Sequence, residues 1–268
     1  MLLMTGVTPV FEAKRWVEKA PTGGSQSQVF ELRDGRYVVV KFPENQQGER
    51  VLANEFLSCA LAEALQLPVN RAVLIAVDGR LLRDPQASGD CPPSFTAGIR
   101  CGMVRFPNAV GINEQQLSAA VVNHCDIHAI HVFDTFIARG DSRQLLSFQP
   151  GQGATSERQF AAIDYGYSFG GSPAWTVDTF RVLASPVLPA MDPCTGKNYT
   201  DGDLIEPIIL KLRALNAAAM ASAFGTLHAP RWSVTEDEIS GLQSVLEVRR
   251  NALIEQFDKK FKKQLEAF

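Results

Sequence analysis

Nothing in this sequence stays apolar for long. No stretch approaches the ~18 uncharged apolar residues that a membrane-spanning helix needs. The opening MLLMTGVTPVFEAKRW lacks the basic start, sustained apolar run and small-residue cleavage site of a secretory leader. Neither sign of charge is in excess: 26 basic against 29 acidic side chains leave a formal −3, so there is no bulk electrostatic case for nucleic acid or an anionic membrane. Cysteine is scarce as well. The five present (Cys59, Cys91, Cys101, Cys125, Cys194) are odd in number, scattered and without a C-x-x-C pair, which argues for reduced thiols in a cytoplasm over a disulfide framework. Internal repeats are absent too. The expectation is a soluble, cytoplasmic, globular chain whose 268 residues suffice for one large domain or two packed lobes.

The first third reads as strands and turns. Gln28 to Leu32 alternates, Asp34-Gly35 is a hairpin signal, and Arg36 to Phe42 is a second strand rich in β-branched and aromatic residues. Leu52, Phe56, Leu57, Ala60, Leu61, Ala64 and Leu65 then recur at helical spacing and stop before Pro68. Ala72 to Val77, Asp78-Gly79 and Arg80 to Leu82 predict another hairpin, Asp84 to Ser94 a surface loop, and Cys101 to Phe106 an edge strand or crossing linker. Leu117 to Phe136 predicts one long helix ending near Gly140. A hairpin of Arg143–Phe148 with Gln159–Asp164 follows, and helices close the chain near Gly202–Leu227 and Thr235–Leu265. The sum is an α+β chain: a β-rich part, then a mainly α part carrying a small hairpin.

Chemistry-bearing residues fall in a suggestive order. Phosphoryl transfer needs a cover for the phosphates, a cation on them, an anion holding that cation, a base-like carboxylate and metal-binding carboxylates. Gly23-Gly24-Ser25-Gln26-Ser27 allows backbone N–H groups to approach phosphates without a Cβ clash. Lys41 ends a strand, and Glu55 follows 14 residues later on a helix, where it can fix the ammonium. Asp141 sits just past a long helix. Asp164 ends a strand before Tyr165-Gly166, a placement that suits a carboxylate on Mg²⁺.

At this point the chain resembles the HipA-like kinases, a bacterial branch of the protein-kinase-like fold. The resemblance is carried by YVVVKF with Lys41, GERVLANEFLSCALAEALQLPV with Glu55, FDTFIARGDSRQLL with Asp141, and AAIDYGYSF with Asp164. It implies a single domain over residues 1–268 in a two-lobed fold, with a β-rich N-lobe over 1–106 and a mainly α C-lobe over 107–268. It also implies ATP, Mg²⁺ and a Ser or Thr hydroxyl of a protein substrate as acceptor. On matching positions, Lys41 contacts the α/β-phosphates, Glu55 pairs with Lys41, Asp141 orients the acceptor hydroxyl, and Asp164 holds Mg²⁺. Gly23, Gly24, Ser25 and Ser27 occupy the phosphate-covering loop, where serines of some relatives are themselves phosphorylated. The catalytic loop is shortened: Gln144 offers an amide to the metal where the family has an asparagine, and Arg143 stands in for the family's arginine one position late. The family often works as a toxin opposed by a DNA-binding antitoxin, which here would be a separate chain. Rival readings are a pseudokinase that binds nucleotide without turnover, and transfer of phosphate or AMP to another acceptor.

Other features have plainer readings. Arg139-Gly140-Asp141 as an adhesion signal requires extracellular exposure. Asp134 reads as a structural residue bonding the loop backbone. His124, His128 and His131 lie near one helical face, a spacing that zinc uses. Without His-Glu-x-x-His they read first as hydrogen-bonding groups against the part beneath, with His131 close enough to help order the catalytic loop. The run from Phe257 to Lys263 reads as a basic, amphipathic helix end.

Overall fold

The computed structural model describes residues 9–20, 25–84, 90–150, 157–171, 175–180, 183, 185–196, 198–199, 202–225 and 232–261. Five strands close into a barrel in the order β1 (Val10–Lys19), β2 (Gln28–Leu32), β3 (Tyr37–Lys41), β5 (Gly98–Val104) and β4 (Ala72–Val77). The β2–β3 hairpin has the expected register, Phe30 opposite Val38 and Gln28 opposite Val40, with Gly35 at positive φ in the turn. Alternation along β3 turns Val38 and Val40 into the barrel, where they pack with Phe30, Phe42, Val73 and Ile75. Val39 and Lys41 take the outer face, toward helix α1 (Arg50–Ala64).

Two expectations fail in this part of the chain. Arg80–Leu82 is not the second arm of a hairpin: Gly79–Leu82 is a short helix α2, because the Asp78 side chain accepts the Arg80 N–H and caps it. Strand β4 finds its neighbours elsewhere, parallel to β1 and antiparallel to β5. The Cys101–Phe106 segment is therefore no edge or linker; through β5 it lies between β3 and β4 with both sides paired.

Helix α1 is almost wholly buried, packing on β4, β5 and helix α7 (Ala217–Gly225). It stops where Gln66 adopts positive φ and the Leu67 N–H reaches back to the Ala62 carbonyl at 2.9 Å, just before Pro68. The next residues dock on a second sheet of β6 (Val110–Ile112), β7 (Gln144–Phe148) and β8 (Gln159–Ile163). Ala162 of β8 donates to the Pro68 carbonyl at 2.8 Å and accepts from Asn70 N–H at 3.2 Å.

The long helix expected over Leu117–Phe136 is two, α3 (Leu117–Ala120) and α4 (Asp126–Phe136), split at the extended Val121. The break is held by β8. Asn123 brackets Phe160, accepting its N–H at 2.8 Å and donating to its carbonyl at 3.1 Å. A short helix α5 (Val177–Phe180) precedes α6 (Glu206–Ala214), α7 and the long α8 (Glu236–Phe261). The Phe257 and Phe261 rings pack at Gly202, Asp258 pairs with Arg213, and Lys259 pairs with Glu255. Lys262 and Lys263 lie outside the described residues. No single helix among the described residues is long and apolar enough to cross a membrane.

Candidate active site

Lys41, Glu55 and Asp164 meet. The Lys41 ammonium ion-pairs with Glu55 Oε1 and sits 2.7 Å from Asp164 Oδ1. Lys41 and Glu55 are buried, while the Asp164 side chain keeps 28% of its surface exposed, so the cluster opens to solvent there. The two carboxyls beside this one ammonium are shifted in opposite directions. Burial, reinforced by the Asp164 charge, pushes the Glu55 carboxyl up despite Lys41. Burial works the same way on Asp164, but Lys41 beside it outweighs this and holds the carboxyl at about 2. For Lys41, the two carboxylates more than offset burial and hold the ammonium above its ordinary range.

Gln144, the first residue of β7, donates its amide to the other Asp164 oxygen at 2.9 Å. The shorter loop after Asp141 thus still delivers an amide side chain to this carboxylate. Asp164 itself has φ +62, an uncommon backbone for a residue without glycine's freedom. Arg139 holds that conformation: its Nη2 donates to the carbonyls of Ile163 (3.1 Å), Asp164 (3.0 Å) and Ser142 (3.1 Å), and its guanidinium lies over the Tyr165 ring. With its side chain only 2% exposed, Arg139 presents nothing to an external adhesion receptor.

Asp141 is exposed on the loop after α4, its Oδ1 accepting the Ser142 N–H at 2.7 Å. It touches none of the other three acids and bases, and is tied to them through Arg139. That loop leaves α4 by way of Ala138, not Gly140, at positive φ, with Arg139 N–H reaching the Asp134 carbonyl at 2.9 Å. Gly140 serves another end. A Cβ there would lie 2.1 Å from Gly171 Cα, because the loop runs against the segment after Asp164. Three backbone bonds join the two, from Gly140 to Tyr167, Phe169 to Ile137 and Gly170 to Ala138. The α4 end is further secured by Arg249 of α8, which donates to the Thr135 and Phe136 carbonyls.

Asp134 differs from expectation in its partners. Its buried carboxylate binds Arg143 Nε at 2.7 Å and faces Arg139 at 3.6 Å, so it supports the loop through two arginines and not through loop backbone. Arg143 pairs in addition with Glu114. These residues, with Asp141 and Arg249, line a cleft of about 410 Å³.

Strand alternation adds residues that sequence reasoning missed. Leu146 and Phe148 share the face of β7 from which Gln144 reaches Asp164, and Phe106 stacks on Phe148 with centroids 4.0 Å apart. The result is a half-buried apolar floor beside the charged cluster. Asn54, next to Glu55 in the stretch that carries the resemblance, had no role assigned from sequence; it donates to the Gly166 carbonyl at 2.8 Å.

Ser25 and Ser27 are buried, with their hydroxyl oxygens 2.8 Å apart; Gly23 and Gly24 lie outside the described residues. The three histidines do not converge. His128 Nδ1 bonds the Tyr199 hydroxyl at 3.0 Å, His124 contacts the Val121 carbonyl, and half-buried His131 is held neutral to about pH 4 by desolvation and by Arg143. No group of three or more potential metal-ligating side chains forms among the described residues.

No protein-family model matches the sequence, and no curated protein does. Solved structures do. The chain matches the Helicobacter pylori proinflammatory kinase CtkA with a TM-score of 0.60 at 11% identity, over 96% of this chain and 99% of that one. This shows a protein-kinase-like α+β fold, the fold that the HipA-like resemblance implies. Golgi casein kinase with Mn/ADP bound matches at TM-score 0.48 and 12% identity, over 96% and 74% of the two chains. HipA of Shewanella oneidensis MR-1, solved with HipB and operator DNA, matches at 0.44 and 12%, over 100% and 67%. At those two scores the likeness adds nothing to the fold assignment.

Proposed function

We propose that this chain is a Mg²⁺-ATP-dependent kinase acting on a Ser or Thr hydroxyl of a protein. The observation that carries the reading is the grip of Glu55 and Asp164 on the Lys41 ammonium, with Gln144 on the remaining Asp164 oxygen. Glu55 fixes the direction of Lys41, so the ammonium is aimed before the nucleotide arrives and costs little reorganisation. Asp164 stays ionised at any physiological pH and is the member of the cluster that faces solvent. A hard carboxylate oxygen with an amide beside it is the donor set that Mg²⁺ accepts. When bound, the metal supplies neutralisation of charge on the transferring phosphates. Leu146 and Phe148 offer the base a flat apolar surface. Asp141, exposed at the lip of the cleft, receives the acceptor hydroxyl and takes or orients its proton as the oxygen attacks phosphorus and the bond to the leaving ADP oxygen breaks.

The finer points follow the same reading. We place the boundary of a two-lobed single domain at 106/107, between β5 and β6, with Gly23 to Ser27 covering the phosphates. Autophosphorylation at Ser25 or Ser27 needs that turn to open, since both hydroxyls are buried and spent on each other. The free thiols Cys59, Cys91, Cys101, Cys125 and Cys194 are consistent with a cytoplasmic setting. A toxin-type role with a separate antitoxin rests on the sequence resemblance alone.

The test is incubation with γ- or α-labelled ATP and Mg²⁺, comparing the native chain with Asp141→Ala and Asp164→Ala. Label from the γ-position only, lost in both variants, is the expected result. Label from the α-position redirects the chemistry to AMP transfer. Mg²⁺-dependent ATP binding without transfer to any protein tried makes the chain a pseudokinase, and absence of binding overturns the reading.

A further inference from the structure

Helix α1 does more than carry Glu55. Arg50, Asn54 and Ser58 are spaced by four, which puts them on one ridge of the helix. All three are spent on segments far away in sequence. Arg50 forms a two-pronged pair with Glu238 in the first turn of α8 (2.8 and 3.0 Å) and donates to the Trp175 carbonyl (2.6 Å) and the Ser233 carbonyl (3.0 Å). Its guanidinium also lies over the Trp175 ring, 4.8 Å from the centroid. Trp175 in turn donates its indole N–H to Asn54 Oδ1 at 2.7 Å, while the Asn54 amide holds the Gly166 carbonyl. Ser58 donates to Ser168 at 3.0 Å. Glu238 is itself fixed by Thr235, accepting its backbone N–H at 2.9 Å in a reciprocal helix cap.

We propose that Arg50, Asn54 and Trp175 form a lock, fastened to Glu238, that holds α1 at the position where Glu55 meets Lys41. The three are positioning residues, and their catalytic consequence rests on the kinase reading above. A helix that carries one member of an ion pair can disarm the site by shifting a single turn. Here the ridge beside Glu55 is bonded both to the N-terminus of α8 and to the Gly166–Ser168 segment that follows Asp164. The lock therefore sets both carboxylates that grip Lys41 with one set of contacts. Asn54 is suited to its place because its amide donates to one side and accepts from the other. Arginine is suited to Arg50 because only a planar fork serves a carboxylate, two carbonyls and an aromatic face together.

The test uses the full chain with Arg50→Ala, Arg50→Lys and Trp175→Phe; the last keeps the ring and removes only the indole donor. Two readouts separate the lock from the kinase reading. The first is alkylation of Cys59, which is buried on α1 beside Met103, against Cys91, buried in the barrel core away from α1. If the lock holds α1, all three variants raise the Cys59-to-Cys91 labelling ratio by about tenfold while the chain stays folded. The second is phosphoryl transfer. In the variants kcat/KM for Mg²⁺-ATP falls by about a hundredfold, the scale of a small misplacement of a catalytic group. The fall shrinks when Glu55→Gln is already present, since the lock acts in part through that residue. Unchanged labelling and unchanged transfer in folded variants overturn the lock. A changed labelling ratio in a chain that never binds ATP preserves the lock and overturns the kinase reading. Equal exposure of Cys59 and Cys91 means that the contacts serve global stability only, which also overturns it.

Discussion

Replacing Asp164 by asparagine separates a functional carboxylate from a structural one, and the structure sets the size of each effect. The Asp164 carboxyl is held at about 2, below its ordinary 3.8. A folded-state pKa lowered in this way contributes stability that is fully present above pH 3.8 and is lost as the pH falls through 2. At roughly 1.4 kcal/mol per unit, the shift is worth about 2.5 kcal/mol at neutral pH. A second effect opposes it. Removing one carboxylate leaves Lys41 and Glu55 as a neutral pair and relieves the repulsion that helps push Glu55 up, so we expect a net loss of about 1–2 kcal/mol. Urea unfolding followed by circular dichroism measures this directly. The gap between native and Asp164→Asn should narrow by about 1 kcal/mol between pH 7 and pH 3, because the carboxyl of the unfolded chain takes up its proton in that range while the folded one stays ionised. Phosphoryl transfer, in contrast, should be lost at every pH. A stability gap above about 4 kcal/mol makes Asp164 a keystone of the fold, and retained transfer removes it from the chemistry. A gap that does not change with pH refutes the electrostatic reasoning outright.

Three further outcomes follow from the same geometry. Asp141→Asn should lower transfer by about 10²–10⁴-fold with ATP affinity and melting temperature unchanged, because the side chain is exposed and spends itself only on Ser142; a normal rate would remove it from the reaction. Gly140→Ala should destabilise by about 1–3 kcal/mol and depress transfer, since its Cβ would drive the loop off Gly171; thermal unfolding and the labelled-ATP assay read both, and a native-like variant would contradict the close approach. Gln144→Asn is one methylene too short to hold Asp164, and should raise the Mg²⁺ concentration for half-maximal transfer about tenfold; an unchanged Mg²⁺ titration would show that the reach of this side chain is irrelevant.

How far the sequence carries can be judged from single elements. The β2–β3 hairpin was legible because its period-2 alternation and the Asp34-Gly35 turn are local signals, and both strands meet with no help from elsewhere. Helix α1 was legible for the same kind of reason: apolar residues at helical spacing and a stop before Pro68. Lys41 at a strand end and Glu55 on the next helix could be singled out by residue type and order. Their contact with each other and with Asp164, 123 residues beyond Lys41, is a fact of packing.

What only the tertiary structure decided concerns partners that lie far off in sequence. The β5 segment looked like an edge because no tight turn joins it to its hydrogen-bonding neighbours: β3 lies beyond α1 and β4, and β4 is separated from it by α2. The break between α3 and α4 is invisible in the apolar periodicity, because it is held by Asn123 on Phe160 of another element. Arg139 drew notice only as part of an Arg-Gly-Asp tripeptide, and its role, a buried side chain holding the backbone of Asp164, depends on a segment 24 or 25 residues further on. Nothing local marks Arg50, whose partner Glu238 comes from α8, 188 residues further on. Local periodicity and turn chemistry cost no loop closure and are written in adjacent residues. The active-site geometry is assembled from side chains whose roles exist only after distant elements have packed, and buried polar groups then bind whichever partners that packing brings within reach.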